Sequence, residues 1–219
     1  MDIAPPERTA RSSPAAESSG GPEGNERLTA MTGTVLLILL LTECYTLLHL
    51  GNLLTLHVFL GMLLLGPVTL KAGSVLYRFT RYYTGSAPYK RKGPPAPLLR
   101  VIGPVIMLLT AGVFGSGIML AVTGPGYGNG DGEWLQIHRL TFIAWAFFIT
   151  IHVLAYVWRL PRLLVAEARG TSGWPHARRA MAILGGRGTR LTLLIASLLA
   201  GLVIALLTVH LAGAWEQGF

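Results

Sequence analysis

Thiols and charge are the two things this chain has least of. Its single cysteine, Cys44, excludes an internal disulfide framework, a CxxC iron–sulfur or zinc site and a CxxCH covalent-haem site. Only 13% of its 219 residues are charged, against 52% hydrophobic. That balance excludes an ordinary soluble domain and places the chain among membrane proteins. Acids are scarcer than bases, ten against 18, so the formal net charge is +8. No basic patch is interleaved with aromatics on a soluble stretch, so the charge is not read as nucleic-acid binding. No phosphate loop or catalytic triad is evident. The glycines of GPGYGNGDGEW, 124–134, do not follow a strand, which excludes a dinucleotide-binding reading.

What the chain does have is apolar runs, each near the ~20 residues needed to cross a ~30 Å hydrocarbon core. Five are expected, over 31–49, 53–77, 98–123, 135–158 and 190–212. The fold class is therefore all-α: an integral membrane bundle of five transmembrane helices over 31–219. The stretch 31–77 is too long for one crossing at ~1.5 Å per residue, and Gly51-Asn52 is the expected turn. Residues 1–30 are rich in Pro, Gly, Ser, Ala and Glu, cannot bury enough apolar surface to offset ordering, and read as a disordered tail. No apolar signal-peptide core lies within them.

Lys and Arg set the expected orientation. The tail carries Arg8, Arg11 and Arg27. Segment 78–100 carries Arg78, Arg81, Lys90, Arg91, Lys92 and Arg100. Segment 159–190 carries Arg159, Arg162, Arg169, Arg178, Arg179, Arg187 and Arg190. The other connections have none. A multi-pass protein of the cell membrane is expected, with the N-terminus cytoplasmic and the C-terminus external. The basic, tyrosine-bearing segment after the second span is expected to meet anionic headgroups of the bilayer.

Histidine carries the functional signal. His138 and His152 lie in one span, 14 residues apart. On a helix that puts them on one face, about 40° apart in azimuth and ~21 Å apart along the axis. Imidazole is an axial ligand of haem iron, and ionisable residues in membrane helices are functional candidates by default. The second span runs parallel to the fourth and carries His57 at matching depth, so His57 and His138 could clamp one haem near the outer side. Gly61, one turn on, would let a flat macrocycle approach. The bland alternative is that each histidine bonds a backbone carbonyl or a neighbouring Ser or Thr. Fourteen residues after His57 stands Lys71, on the same face and at the depth of His152. Lys71 is either an amine ligand or, as favoured, an interfacial lysine reaching a phosphate or a haem propionate. His152 is then a ligand, a supporting residue or structural. Arg139 could pair with a propionate at the rim. Gly112, Gly115, Ser116 and Gly117 form a small-residue surface, for close packing or for a porphyrin. His49, His210 and His176 read as interfacial or solvated. Glu43 is the only acid deep in a span, with no evident basic partner.

On His57 with Gly61, and on His138 with His152, the chain resembles the bacterial membrane b-type cytochromes. These include cytochrome b561-like proteins and the cytochrome-b subunits of membrane oxidoreductases. The resemblance covers about 55–160. It implies haem b, quinone-linked or transmembrane electron transfer, and a separate redox partner subunit, with His57, His138 and His152 as iron ligands. Diheme members carry two histidines on each of two helices. Here Lys71 takes the fourth place, so one haem is expected and two only if Lys71 and His152 hold the second. Without a soluble catalytic domain, an electron-transfer subunit is expected rather than a self-contained enzyme. The rival reading is a non-redox scaffold, assembly factor or small transporter.

Overall fold

The computed structural model describes residues 22–91, 93, 97–124, 131–159, 161, 165 and 186–216. Tail residues 1–21, the glycine-rich loop 125–130 and most of the basic segment after the fourth span, with His176, lie outside the described residues. Among those described there is no strand. The long helices are α1 (Pro22–Leu48), α2 (Leu50–Tyr83), α4 (Pro97–Thr123), α5 (Asp131–Tyr156) and α6 (Arg187–Thr208), with a short α3 (Ala87–Arg91) after α2. Short 3-10 turns follow α5 and α6, and Gly213–Glu216 forms a last helical turn, α7. Five helices are long and apolar enough to cross a membrane. The chain is an all-helical, multi-pass membrane bundle.

Two boundaries differ from expectation. The first helix starts at Pro22, inside the stretch expected to be disordered. Proline suits a helix's first turn, where no N–H is needed. The start is also pinned to α2. Asn25 Nδ2 donates to the Ser74 carbonyl at 3.0 Å, and the Thr29 and Ser74 hydroxyls are 3.0 Å apart. The turn between α1 and α2 falls at His49, two residues before Gly51-Asn52. Asn52 and Leu53 N–H both donate to the His49 carbonyl, and Leu53 (φ −122°, ψ 20°) is the one non-helical residue inside α2. Pro67 sits within α2 without a break in its dihedrals. At 34 residues, α2 is ~51 Å long at ~1.5 Å per residue, well beyond a ~30 Å hydrocarbon core. Its surplus lies at the end bearing Arg78 and Arg81.

Packing divides the bundle in two. Helix α2 packs along α1 and α6, whereas α4 packs along α5. The α2–α6 crossing is a backbone contact. A Cβ on Gly66 would collide with the Ser197 carbonyl, and one on Gly201 with the Leu63 carbonyl. Without a hydrophobic drive between helices in lipid, such small-residue surfaces supply the packing. Around the crossing sit buried Met62 and Ala205 with Ala121 of α4. In the other half, α5 has no buried residue among its described side chains. It is held to α4 where Thr141 meets Gly112 and where Trp145 Nε1 donates to Thr110 Oγ1 at 2.9 Å. The halves touch where α2 meets α4 and where Trp215 Nε1 donates to the Leu120 carbonyl at 3.0 Å. Helices α2 and α5, which carry the histidines of interest, share no extended packing.

Candidate functional site

His57 projects from α2 toward α1. Its Nδ1 lies 3.0 Å from Glu43 Oε1 and 3.0 Å from Thr46 Oγ1. The Thr46 hydroxyl already donates to the Glu43 backbone carbonyl at 2.6 Å. Its oxygen and the carboxylate therefore both offer lone pairs to Nδ1, which must carry the proton. In the neutral ring Nε2 is then the nitrogen that keeps its lone pair. The acid that seemed unpartnered in the sequence thus has its partner in the next helix. Glu43 and His57 are equidistant from Leu50, so a tight antiparallel hairpin brings them to one level. The other carboxylate oxygen, Glu43 Oε2, is buried with no hydrogen-bond partner among the described residues.

His138 projects from α5 toward α4. Its Nδ1 lies 3.1 Å from the Val113 carbonyl and 3.0 Å from Ser116 Oγ. A carbonyl only accepts, and the Ser116 hydroxyl donates to the Gly112 carbonyl at 2.6 Å. So Nδ1 again carries the proton and Nε2 again remains basic. A Cβ on Gly117 would stand 3.1 Å from His138 Cε1, so that glycine gives the imidazole its seat on α4. His57 and His138 are close enough to interact electrostatically.

The bland expectation, histidines bonded to a carbonyl or a hydroxyl, therefore describes both residues as far as Nδ1 goes. It leaves Nε2 unspoken for. A histidine that ligates iron commonly fixes its other nitrogen in this way.

The remaining candidates are placed as follows. Gly61 faces the Glu43 carboxylate, whose Oε1 would be 3.6 Å from an added Cβ, an ordinary contact. Gly112 and Gly117 serve helix packing, while Gly115 faces open space. Arg139 is exposed beside His138. Lys71 reaches α1: Nζ donates to the Thr29 carbonyl at 2.6 Å, and a Cβ on Gly33 would come to 3.0 Å of it. The amine is engaged with backbone there. His152 is half-buried, its ring tilted against that of Tyr156 with centres 4.8 Å apart, and lies within electrostatic range of Lys71. His49 is exposed at the turn, its ring 4.8 Å from that of Tyr45.

The two pairs thus differ in kind. One holds two imidazoles with matched tautomers. The other holds a lysine bound to backbone and a histidine near it. Among the described residues no group of three or more His, Cys, Asp or Glu could cage a bare metal ion. Comparison of the chain with protein-family models, curated proteins and solved structures found no match.

Proposed function

We propose that this chain is a membrane-embedded b-type haem electron-transfer protein, with His57 and His138 the axial ligands of one haem, serving between the quinone pool and a partner oxidoreductase. One observation carries the reading. Two intramembrane imidazoles from opposite halves of the bundle each have Nδ1 committed as a donor and Nε2 basic. They sit on helices that share no extended packing. The donor set suits a macrocycle rather than a bare ion, because the porphyrin brings its own four nitrogens and asks only two axial ligands of the protein. When bound, that group supplies a one-electron couple. The chain's part is to fix the two imidazoles, to exclude water by its apolar helices and to set the surrounding charge. Arg139, exposed next to His138, is suited to a carboxylate at the rim. A second haem would need Lys71 to leave the Thr29 carbonyl, so we assign one.

We place the N-terminus in the cytoplasm and the His57–His138 level toward the outer face, on the distribution of Lys and Arg. Reporter fusions at Gly128 and after Phe219 are expected to read external. For the haem, the test is a reduced-minus-oxidised spectrum of the purified full chain from haem-replete cells. A sharp α band, lost in His138→Ala, is expected. Intact protein with no haem absorbance would leave the non-redox scaffold reading in its place.

A further inference from the structure

The Nδ1 partner of His57 is an acid, and nothing in the redox reading requires one. His138 is held in the same tautomer by a backbone carbonyl and a serine, with no charge. An intramembrane carboxylate is expensive, and Glu43 is only 13% exposed with Oε2 unpartnered among the described residues. Its neighbours explain neither its position nor its charge. Thr46 is already donating to the Glu43 backbone, Gly61 merely leaves room, and Cys44 and Tyr45 point to the exposed side of α1. What Glu43 touches is His57.

We propose that Glu43 is the positioning residue of the haem site: through Oε1 it locks His57 as the Nδ1–H tautomer with Nε2 facing the iron, and its charge makes that imidazole the more electron-donating of the two ligands. This rests on His57 being a ligand. A carboxylate on the far nitrogen gives the ring partial imidazolate character, raising its basicity. A more basic ligand and a nearby negative charge both favour the oxidised, more positive iron, so the potential is held low. Thr46 shares Nδ1 and narrows the ring's orientation but adds no charge.

The tautomer and the haem are read separately. In full-length protein labelled with ¹⁵N-histidine and prepared haem-free in lipid nanodiscs, His57 is expected as a single Nδ1–H tautomer. In Glu43→Ala only the neutral Thr46 oxygen is left to accept from Nδ1, so a detectable fraction of the second tautomer is expected. In Glu43→Gln, whose amide oxygen still accepts, the single tautomer is expected to return. In haem-loaded protein, both variants are expected to show a higher midpoint potential than the wild type. Glu43→Ala alone should also broaden the low-spin ligand-field spectrum, because only Thr46 then orients the ring. A wild-type chain that shows the locked tautomer but takes up no haem would sink the electron-transfer reading and with it this role. A chain that binds haem while Glu43→Gln and Glu43→Ala leave tautomer, potential and spectrum unchanged would overturn the role and spare the haem. Should Glu43→Ala fail to fold, the Gln variant still decides: a potential equal to wild type rejects the charge argument.

Discussion

In the α1–α2 hairpin an acid holds the imidazole; in the α4–α5 hairpin a backbone carbonyl and a serine hold it. The first hairpin is wedged against α6 through a glycine crossing, while α5 in the second has no buried side chain among those described. The same chemical result, a basic Nε2, is reached once with charge in a tightly packed half and once without charge in a loosely covered one. The difference teaches that tautomer and charge are separable demands. A neutral carbonyl suffices to orient a ring. A carboxylate at the same place would, on the proposed function, lower the potential of a bound iron, which a carbonyl would not.

Removing either imidazole tests whether the hairpins are equal partners. His57→Ala and His138→Ala are both expected to lose the low-spin haem band entirely, whereas His152→Ala keeps it; an absorbance titration against protein concentration reads the stoichiometry. Retention of the band in His57→Ala would break the pairing. Next in size is the packing of the first hairpin. Gly201→Leu must push α6 off the Leu63 carbonyl. It is expected to cost about 3 kcal/mol, the upper range for overpacking a close contact, read as a fall in thermal stability in detergent. A similar cost from Ser197→Ala, whose backbone rather than side chain makes the contact, would contradict the crossing. Lys71→Met removes the donor to the Thr29 carbonyl, so ~1–2 kcal/mol of stability is expected to go with the haem spectrum unaltered. Ser116→Ala should cost about 1 kcal/mol and leave His138 in its tautomer, since the Val113 carbonyl remains; a mixed tautomer in its ¹⁵N spectrum would show that serine and not the carbonyl decides. Gly61→Ala is the smallest. An added Cβ meets only Glu43 Oε1 at ordinary contact distance, and stability is expected to move by less than ~0.5 kcal/mol.

The spans and their number were legible because a bilayer imposes length and hydropathy on every crossing. Their ends were less so. The start at Pro22 depends on Asn25 and Thr29 finding Ser74 49 and 45 positions away, which no local pattern reveals. The depth match expected of His57 and His138 rests on the parallel direction of the second and fourth spans. Glu43 went unpaired in the sequence because the turn was set at Gly51-Asn52. Moving it back toward His49 brings Glu43 nearer the level of His57, and their equal spacing from Leu50 was the available signal. The Val113 carbonyl had no signal at all, since backbone groups are the same at every residue. Lys71 was legible as a departure, but its bond to the Thr29 carbonyl belongs to the packing of α1 and not to its own helix.

Each imidazole takes its Nδ1 partner from the helix that immediately precedes its own: His57 from α1, His138 from α4. Both contacts are therefore local in the chain, closed by one hairpin turn, and local contacts form early because little loop entropy opposes them. As the polypeptide is inserted from its N-terminus, the α1–α2 hairpin can orient His57 before α5 has been made, and α4–α5 orients His138 without waiting for α6. The two half-sites thus mature independently. On the proposed function, joining them would be a docking of finished pieces, so haem capture would wait on assembly of the halves and not on the ordering of either histidine.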